Sequence, residues 1–241
     1  MVSKVDIRCR LQNEIHSLQG FRPASATAQL DFRLGPIASS LPGNTFPSSA
    51  LHEFICESPQ DVAASNAFVT GLLSTLLQKG GIVLWISTRH LVFPPALKAF
   101  GINPDQIIFI NVKKEKEAIW TIEEALKSTA LTSVVGEISQ FHFKDSRRFQ
   151  LAIEQSGVGC FLFCYRQRKL TTAATTRWQI TPLSSTKEDN LPGVGQPRWK
   201  VHLLKVRGGK PGSWTIEWAQ GRFRHTLNLI AVSGELQHKT A

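Results

Sequence analysis

The sequence predicts an α/β protein: a mainly parallel sheet flanked by helices, antiparallel strands extending it at the C-terminal side, and a detached N-terminal helix. Three observations carry this. Between Ala50 and Tyr165, short apolar runs alternate with helical stretches, the pattern of parallel strands buried on both faces. After Tyr165 the period falls to two residues, so that Trp199, Val201 and Leu203 share one face, as do Trp214, Ile216 and Trp218 on the next strand. The first twenty residues have helical spacing of Leu11, Ile15 and Leu18, with Ser3 as a cap, Asp6 three positions on, and Gly20 as a stop.

In chain order, residues 1–20 form this amphipathic helix, whose apolar stripe needs a partner surface. Residues 21–45, rich in Pro, Ser, Ala and Gly, read as a linker, with Leu30 to Leu34 alternating as a short edge strand. Residues 46–233 form the main domain and 234–241 a polar tail. Within the domain, Ala50 to Ile55 reads as a strand and Ser65 to Gln78 as a helix. Further strands are expected at Ile82–Ser87, Gln106–Val112, Thr132–Gly136 and Cys160–Tyr165. Helices are expected at Pro95–Phe100, Glu115–Ser128 and Ser146–Gln155. Arg177–Ile180, Arg198–Arg207 and Ser213–Ala219 form the antiparallel part, with Gly208 to Gly212 as a turn. Pro182 has no amide for a ladder, so the strand through Ile180 is expected to stop there and residues 182–197 to form a surface loop.

A chain of 241 residues with 42% hydrophobic content can bury a substantial core. No apolar run reaches the ~20 residues that span a bilayer, and Asp6 and Arg8 interrupt any leader-like segment. A soluble cytoplasmic protein without a membrane partner is the expectation. Cys160 and Cys164 lie about 13 Å apart along one strand, too far for a disulfide, and the four cysteines have no zinc spacing. The formal charge of +10 favours a polyanionic partner, with nucleic acid as the leading candidate.

The segment from Leu51 to Gln78 has the strand–loop–helix layout of a nucleotide-binding unit, but its loop is wrong for phosphate. A phosphate-binding loop reads GxxxxGK[ST], with bare amides, a lysine and a hydroxyl for magnesium. Here it reads Cys56-Glu57-Ser58-Pro59-Gln60-Asp61-Val62-Ala63. Val62 stands in the lysine position and Ala63 in the hydroxyl position, while Glu57 and Asp61 bring carboxylates to the place of the phosphates. Ser58 suits the N-cap, Pro59 the first helical position and Asp61 the third, so the helix is expected to close its own anion site. His142 and His225 have no nucleophile in a convincing relation to them, and Ser213 lacks the GxSxG elbow.

Several segments resemble the ImuA family, related to the recombinase RecA and the division inhibitor SulA. They are Leu41-Pro42-Gly43 through Glu53, Val83 to Ile86, Ala118 to Leu126, Val134 to Glu137, Thr176-Arg177-Trp178 and Pro197 to Lys200. The most specific is Arg207 to Trp218. The resemblance implies a RecA-like domain over residues 46–233, acting as a non-catalytic adaptor in SOS-induced mutagenic translesion synthesis. Its implied partners are an ImuB-like Y-family polymerase homologue, with RecA and DNA as further candidates. Neither cofactor nor metal is expected, since Arg89 stands where the catalytic glutamate belongs and Glu137 is the sole remnant of the magnesium site, read as a strand-end surface residue. The place of RecA's second DNA-binding loop falls on Tyr165 through Arg177, making Arg166, Arg168, Lys169 and Arg177 candidate phosphate contacts. The stripe Leu11, Ile15, Leu18 is a candidate partner anchor or self-association element. The alternatives are a SulA-like inhibitor that binds FtsZ and a degenerate RecA-family ATPase.

Overall fold

The computed structural model describes residues 30–89, 92–139, 141–165, 171–186 and 195–225. Leu11, Ile15, Leu18, Arg166, Arg168, Lys169 and the polar tail therefore lie outside the described residues.

The chain builds a nine-stranded sheet: β1 Leu51–Cys56, β2 Val83–Ser87, β3 Ile107–Asn111, β4 Ser133–Ile138, β5 Gly159–Tyr165, β6 Thr176–Thr186, β7 Gln196–Val206, β8 Gly212–Ala219 and β9 Arg222–His225. Their order is β3-β2-β4-β5-β1-β6-β7-β8-β9. The pairs from β3 to β6 are parallel and those from β6 to β9 antiparallel. This is the mixed sheet expected from the change of period at Tyr165.

Helix α1 (Pro59–Leu76) covers one face, burying Phe68, Val69, Leu72 and Leu73. The antiparallel strands send Trp178, Trp199, Ile216, Trp218 and Phe223 into the same cluster. Close approach depends on Gly71, where a Cβ would lie 2.6 Å from Phe223 Cζ. Helices α2 (Glu115–Leu126) and α3 (Phe143–Ser156) cover the other face with Ile122, Leu126, Phe149 and Ile153. A Cβ at Gly136 would collide with Ile122 Cδ1, so glycine lets α2 press onto β4.

Two expectations need correction. The described part of the linker, from Leu30, is not an edge strand. It forms short 3-10 helices at Gly35–Ser40 and Pro42–Asn44, and Phe32, Leu34, Ile37 and Leu41 join the core beside α1. Apolar residues spaced among the prolines and serines gain more from burial than a solvated linker would. Second, β6 does not stop at Pro182 but runs to Thr186, with Pro182 opposite Trp199. Pairing with β1 ends at Trp178, which leaves an open edge where a missing amide costs no ladder bond. Helix α1 starts at Pro59, the first helical position expected from the Ser58 cap, six residues before the clear helical spacing, because its cap and not its apolar stripe sets the start.

Candidate functional site

The carboxyl end of β1 and the start of α1 enclose a cleft of about 450 Å³, lined by Cys56, Glu57, Ser58, Pro59, Val62, Ala63, Asn66, Arg89 and Tyr165. Gln60 is exposed on the first turn. Ser58 Oγ accepts from the Asp61 amide at 3.1 Å, while Asp61 Oδ2 accepts from the amides of Ser58 at 3.1 Å and Glu57 at 3.2 Å. The expected capping box is present. Amides that would face a phosphate thus already face a carboxylate that also complements the helix dipole. The Cys56 thiol, pushed up to about 12 chiefly by burial, donates to Ser65 Oγ at 3.6 Å.

Behind the cleft-lining Tyr165, Glu137 is fully buried, correcting the expectation of a surface residue at a strand end. Trp85 Nε1 donates to its Oε1 at 3.1 Å, and Ser87 Oγ and the Tyr165 hydroxyl donate to Oε2 at 2.8 and 3.2 Å. Burial, and then the nearby Glu137 charge, raises the Tyr165 phenol well above its ordinary range, so it stays a donor. The Arg89 guanidinium lies 4.4 Å from the Tyr165 ring centroid, and the Arg89 amide donates to Ser87 Oγ at 3.0 Å. Nothing in the local sequence around Glu137 announced these donors, which come from two other strands, Trp85 and Ser87 from β2 and Tyr165 from β5. They meet because β2 and β5 flank β4.

A second buried carboxylate, Glu53, lies in register with Arg177 across β1 and β6. Arg177 Nε donates to Glu53 Oε2 at 2.7 Å and its Nη2 to Thr172 Oγ1 at 3.1 Å. Arg177 is therefore a half-buried cation on β6 held by Glu53 and Thr172, and does not project from an exposed loop. The topology explains the correction. Tyr165 pairs with Cys56 at one end of β1, but Thr176 pairs with His52 near the other, so the connection must travel back along the sheet. Its second half is buried at Thr172, Ala173, Ala174 and Thr175. The Ala173 amide donates to Ser146 Oγ at 2.9 Å, and Lys205 Nζ and Arg207 Nη2 donate to the Thr172 and Ala173 carbonyls at 2.9 and 3.0 Å. Two cations of the basic C-terminal half are thus committed to the crossover.

A third polar chain surrounds His52. Its Nε2 lies 2.9 Å from the Pro47 carbonyl, which can only accept, so Nε2 carries the proton and Nδ1 accepts from Thr176 Oγ1 at 2.7 Å. Thr176 Oγ1 in turn accepts from Trp178 Nε1 at 2.7 Å. Burial lowers the imidazole to about 3, so the ring is neutral and structural. His142 is exposed at the start of α3, and His225 packs against Gly35. Among the described residues, no group of His, Cys, Asp or Glu side chains is arranged to hold a metal ion. No helix among them is long and apolar enough to cross a membrane.

No family model matches the chain. Over 220 residues it is 31% identical to Protein ImuA of Caulobacter vibrioides, in two strains, covering 85% of this chain and 90% of the relative. The chain belongs to the ImuA family. A crystal structure of the RadB recombinase superposes with a TM-score of 0.57 at 15% identity, covering 82% of this chain and all of the recombinase chain. The fold of this ImuA-family chain is thus RecA-like.

A nucleoside triphosphate with magnesium does not fit the donor set of this ImuA-family cleft. The loop amides face Asp61, Val62 and Ala63 offer neither ammonium nor hydroxyl, and Glu137 is held by three buried donors. Moving Glu137 onto a cation would take the acceptor away from Trp85 Nε1 and from the Ser87 and Tyr165 hydroxyls, at roughly 1–3 kcal/mol per buried donor left unsatisfied.

Proposed function

We propose that this ImuA-family chain is a non-catalytic accessory protein of SOS-induced mutagenic translesion synthesis, a RecA-like platform that docks an ImuB-like Y-family polymerase homologue in the cytoplasm. The observation that carries the non-catalytic part is the internal saturation of both halves of the former nucleotide site, the Asp61 cap on the loop amides and the triply bonded Glu137. The adaptor part is what the family resemblance implies. It is supported by the large apolar side chains exposed on the helical layer, Trp120 at 62% and Phe143 at 57%, which suit a protein partner. RecA is a further candidate partner. The antiparallel strands weigh against a SulA-like FtsZ inhibitor, because the resemblance to SulA ends near Tyr165 while Trp178, Trp199 and Trp218 complete the core beyond it.

Two measurements test the reading. In a thermal-shift titration, ATP with magnesium is expected to leave the melting temperature unchanged. A saturable rise that Glu137→Gln removes would show a working nucleotide site. In a pull-down from DNA-damaged cells, a Y-family polymerase homologue is expected among the co-eluting chains, and its reproducible absence would end the adaptor proposal.

A further inference from the structure

The two faces of the antiparallel half differ sharply. One is closed by α1 and the tryptophan cluster. On the other, the apolar cluster beneath α2 and α3 ends at Ala174 and contains no residue of β7, β8 or β9. Alternation along β7 puts Trp199, Val201 and Leu203 inside, so Arg198, Lys200 and His202 face outward. Register extends this outward face across the neighbours. Glu217 of β8 lies between Arg198 of β7 and Arg224 of β9, and Arg222 is exposed at the end of β9. Gln179 and Ser213 flank His202 on either side.

This face therefore carries four permanent cations against one carboxylate. Among the described residues, Arg198, Lys200 and Arg222 have no ion-pair partner, and Arg198 Nε is a buried donor without a hydrogen bond. The local field already acts within the protein, since His202 is lowered first by burial and then by the Lys200 charge. In contrast, Arg177, Lys205 and Arg207 are bound to the crossover and Glu53. Among the described residues of this half, cations not bound to the crossover thus cluster on this sheet face.

We propose that the outward face of β7–β9, centred on Arg198, Lys200, Arg222 and Arg224, is a docking surface for the phosphodiester backbone of duplex DNA. Charge complementarity selects a polyanion. Outward side chains recur at about 7 Å along a strand and about 5 Å between strands, a spacing that can engage successive phosphates of one groove edge. Duplex is favoured over single strands because the face offers no Trp, Tyr or Phe ring as a base-stacking platform: Trp199, Trp218 and Phe223 are buried on the opposite side. With side chains that contact only phosphates, binding is independent of sequence. The proposed surface uses none of Arg166, Arg168 and Lys169 and does not depend on the polymerase partner.

The test is fluorescence anisotropy of the full chain with a labelled random-sequence duplex of about 30 base pairs, from about 50 to about 300 mM KCl. The expected log–log salt slope is about −3 to −4, one step of about 0.9 per cation. The triple variant Lys200→Ala, Arg222→Ala, Arg224→Ala should flatten it by about 2.7 and weaken binding more than tenfold at the lower salt. The variant Lys79→Ala, Lys116→Ala, Lys144→Ala, with the same change in net charge elsewhere on the surface, should leave the slope unchanged. Unaltered melting temperatures confirm that both variants fold. Equal losses in the two variants would reduce the binding to overall charge and overturn the proposal. So would failure of the wild-type chain to bind duplex, or a slope lost only when Arg166, Arg168 and Lys169 are replaced. Capture of poly-glutamate but not DNA through these residues would identify an acidic protein as the partner and overturn it equally.

Discussion

Arg177 Nε donates to Glu53 Oε2 at 2.7 Å across the β1–β6 pair, and this contact joins the parallel half of the sheet to the antiparallel half. Glu53 is almost fully buried, so Arg177→Ala strands a carboxylate and should cost about 3–5 kcal/mol. Arg177→Lys should recover little, because a single ammonium cannot reach both Glu53 and Thr172. The double variant Glu53→Met, Arg177→Met should recover most of it. Urea denaturation midpoints check this, and a neutral Arg177→Ala would refute the structural role given to that arginine.

Glu137 accepts from three buried donors, Trp85 Nε1 and the Ser87 and Tyr165 hydroxyls. Glu137→Ala should lower stability by at least about 3 kcal/mol, and Glu137→Gln by less, since its carbonyl keeps part of the set. Equilibrium unfolding monitored by tryptophan fluorescence reads the difference. Equal stability of the wild type and Glu137→Ala would show that the network is not formed in solution.

His52 sets a pH dependence with a definite sign. In the folded chain the imidazole stays neutral down to about 3, whereas the unfolded chain takes up a proton near 6.5. The unfolded state thus binds more protons below about pH 6.5, so this contribution is complete above that pH and is lost as pH falls towards 3. The slope is at most about 1.4 kcal/mol per pH unit. His52→Gln should remove this component, so the wild-type and variant midpoints should converge on acidification. Parallel curves would contradict the buried neutral ring.

Cys56, Cys160 and Cys164 are free and buried, and burial raises all three thiols, Cys56 to about 12. None of them should react with an aromatic disulfide reagent in the native chain at neutral pH, because thiolate is required. Labelling followed by peptide mass mapping should find all three modified only after denaturation. Rapid native labelling of Cys160 or Cys164 would place β5 at the surface and contradict its position inside the sheet.

The sheet was legible because local periodicity reports burial directly. The expected strand beginning at Gln106 and the observed one at Ile107 differ by a single residue, and the cap at Ser58 with Asp61 was readable from residue types three positions apart. What could not be read were contacts between distant segments. Glu137 looks like a strand-end carboxylate until β2 and β5 bring Trp85, Ser87 and Tyr165 around it. Arg177 looks like part of a basic loop until β6 pairs with β1. The strand Arg222–His225 was missed because four residues with only Phe223 and a terminal histidine show too little alternation. The outward cations were within reach, since Arg198, Lys200 and His202 alternate with buried neighbours, but nothing local showed that no helix among the described residues covers this side.

Residue types at short spacing determined the class of fold, the start of α1 and the loss of a lysine and hydroxyl from its loop, because each depends on interactions within a few positions. Tertiary structure alone decided what each charge does: Glu137 and Glu53 became buried acceptors, Arg177 a half-buried donor, and Lys200 and Arg222 surface cations with no ion pair among the described residues. The physical reason is that the free energy of a charge depends on burial and partners, and in this chain those partners lie dozens of residues away, brought together only by strand order.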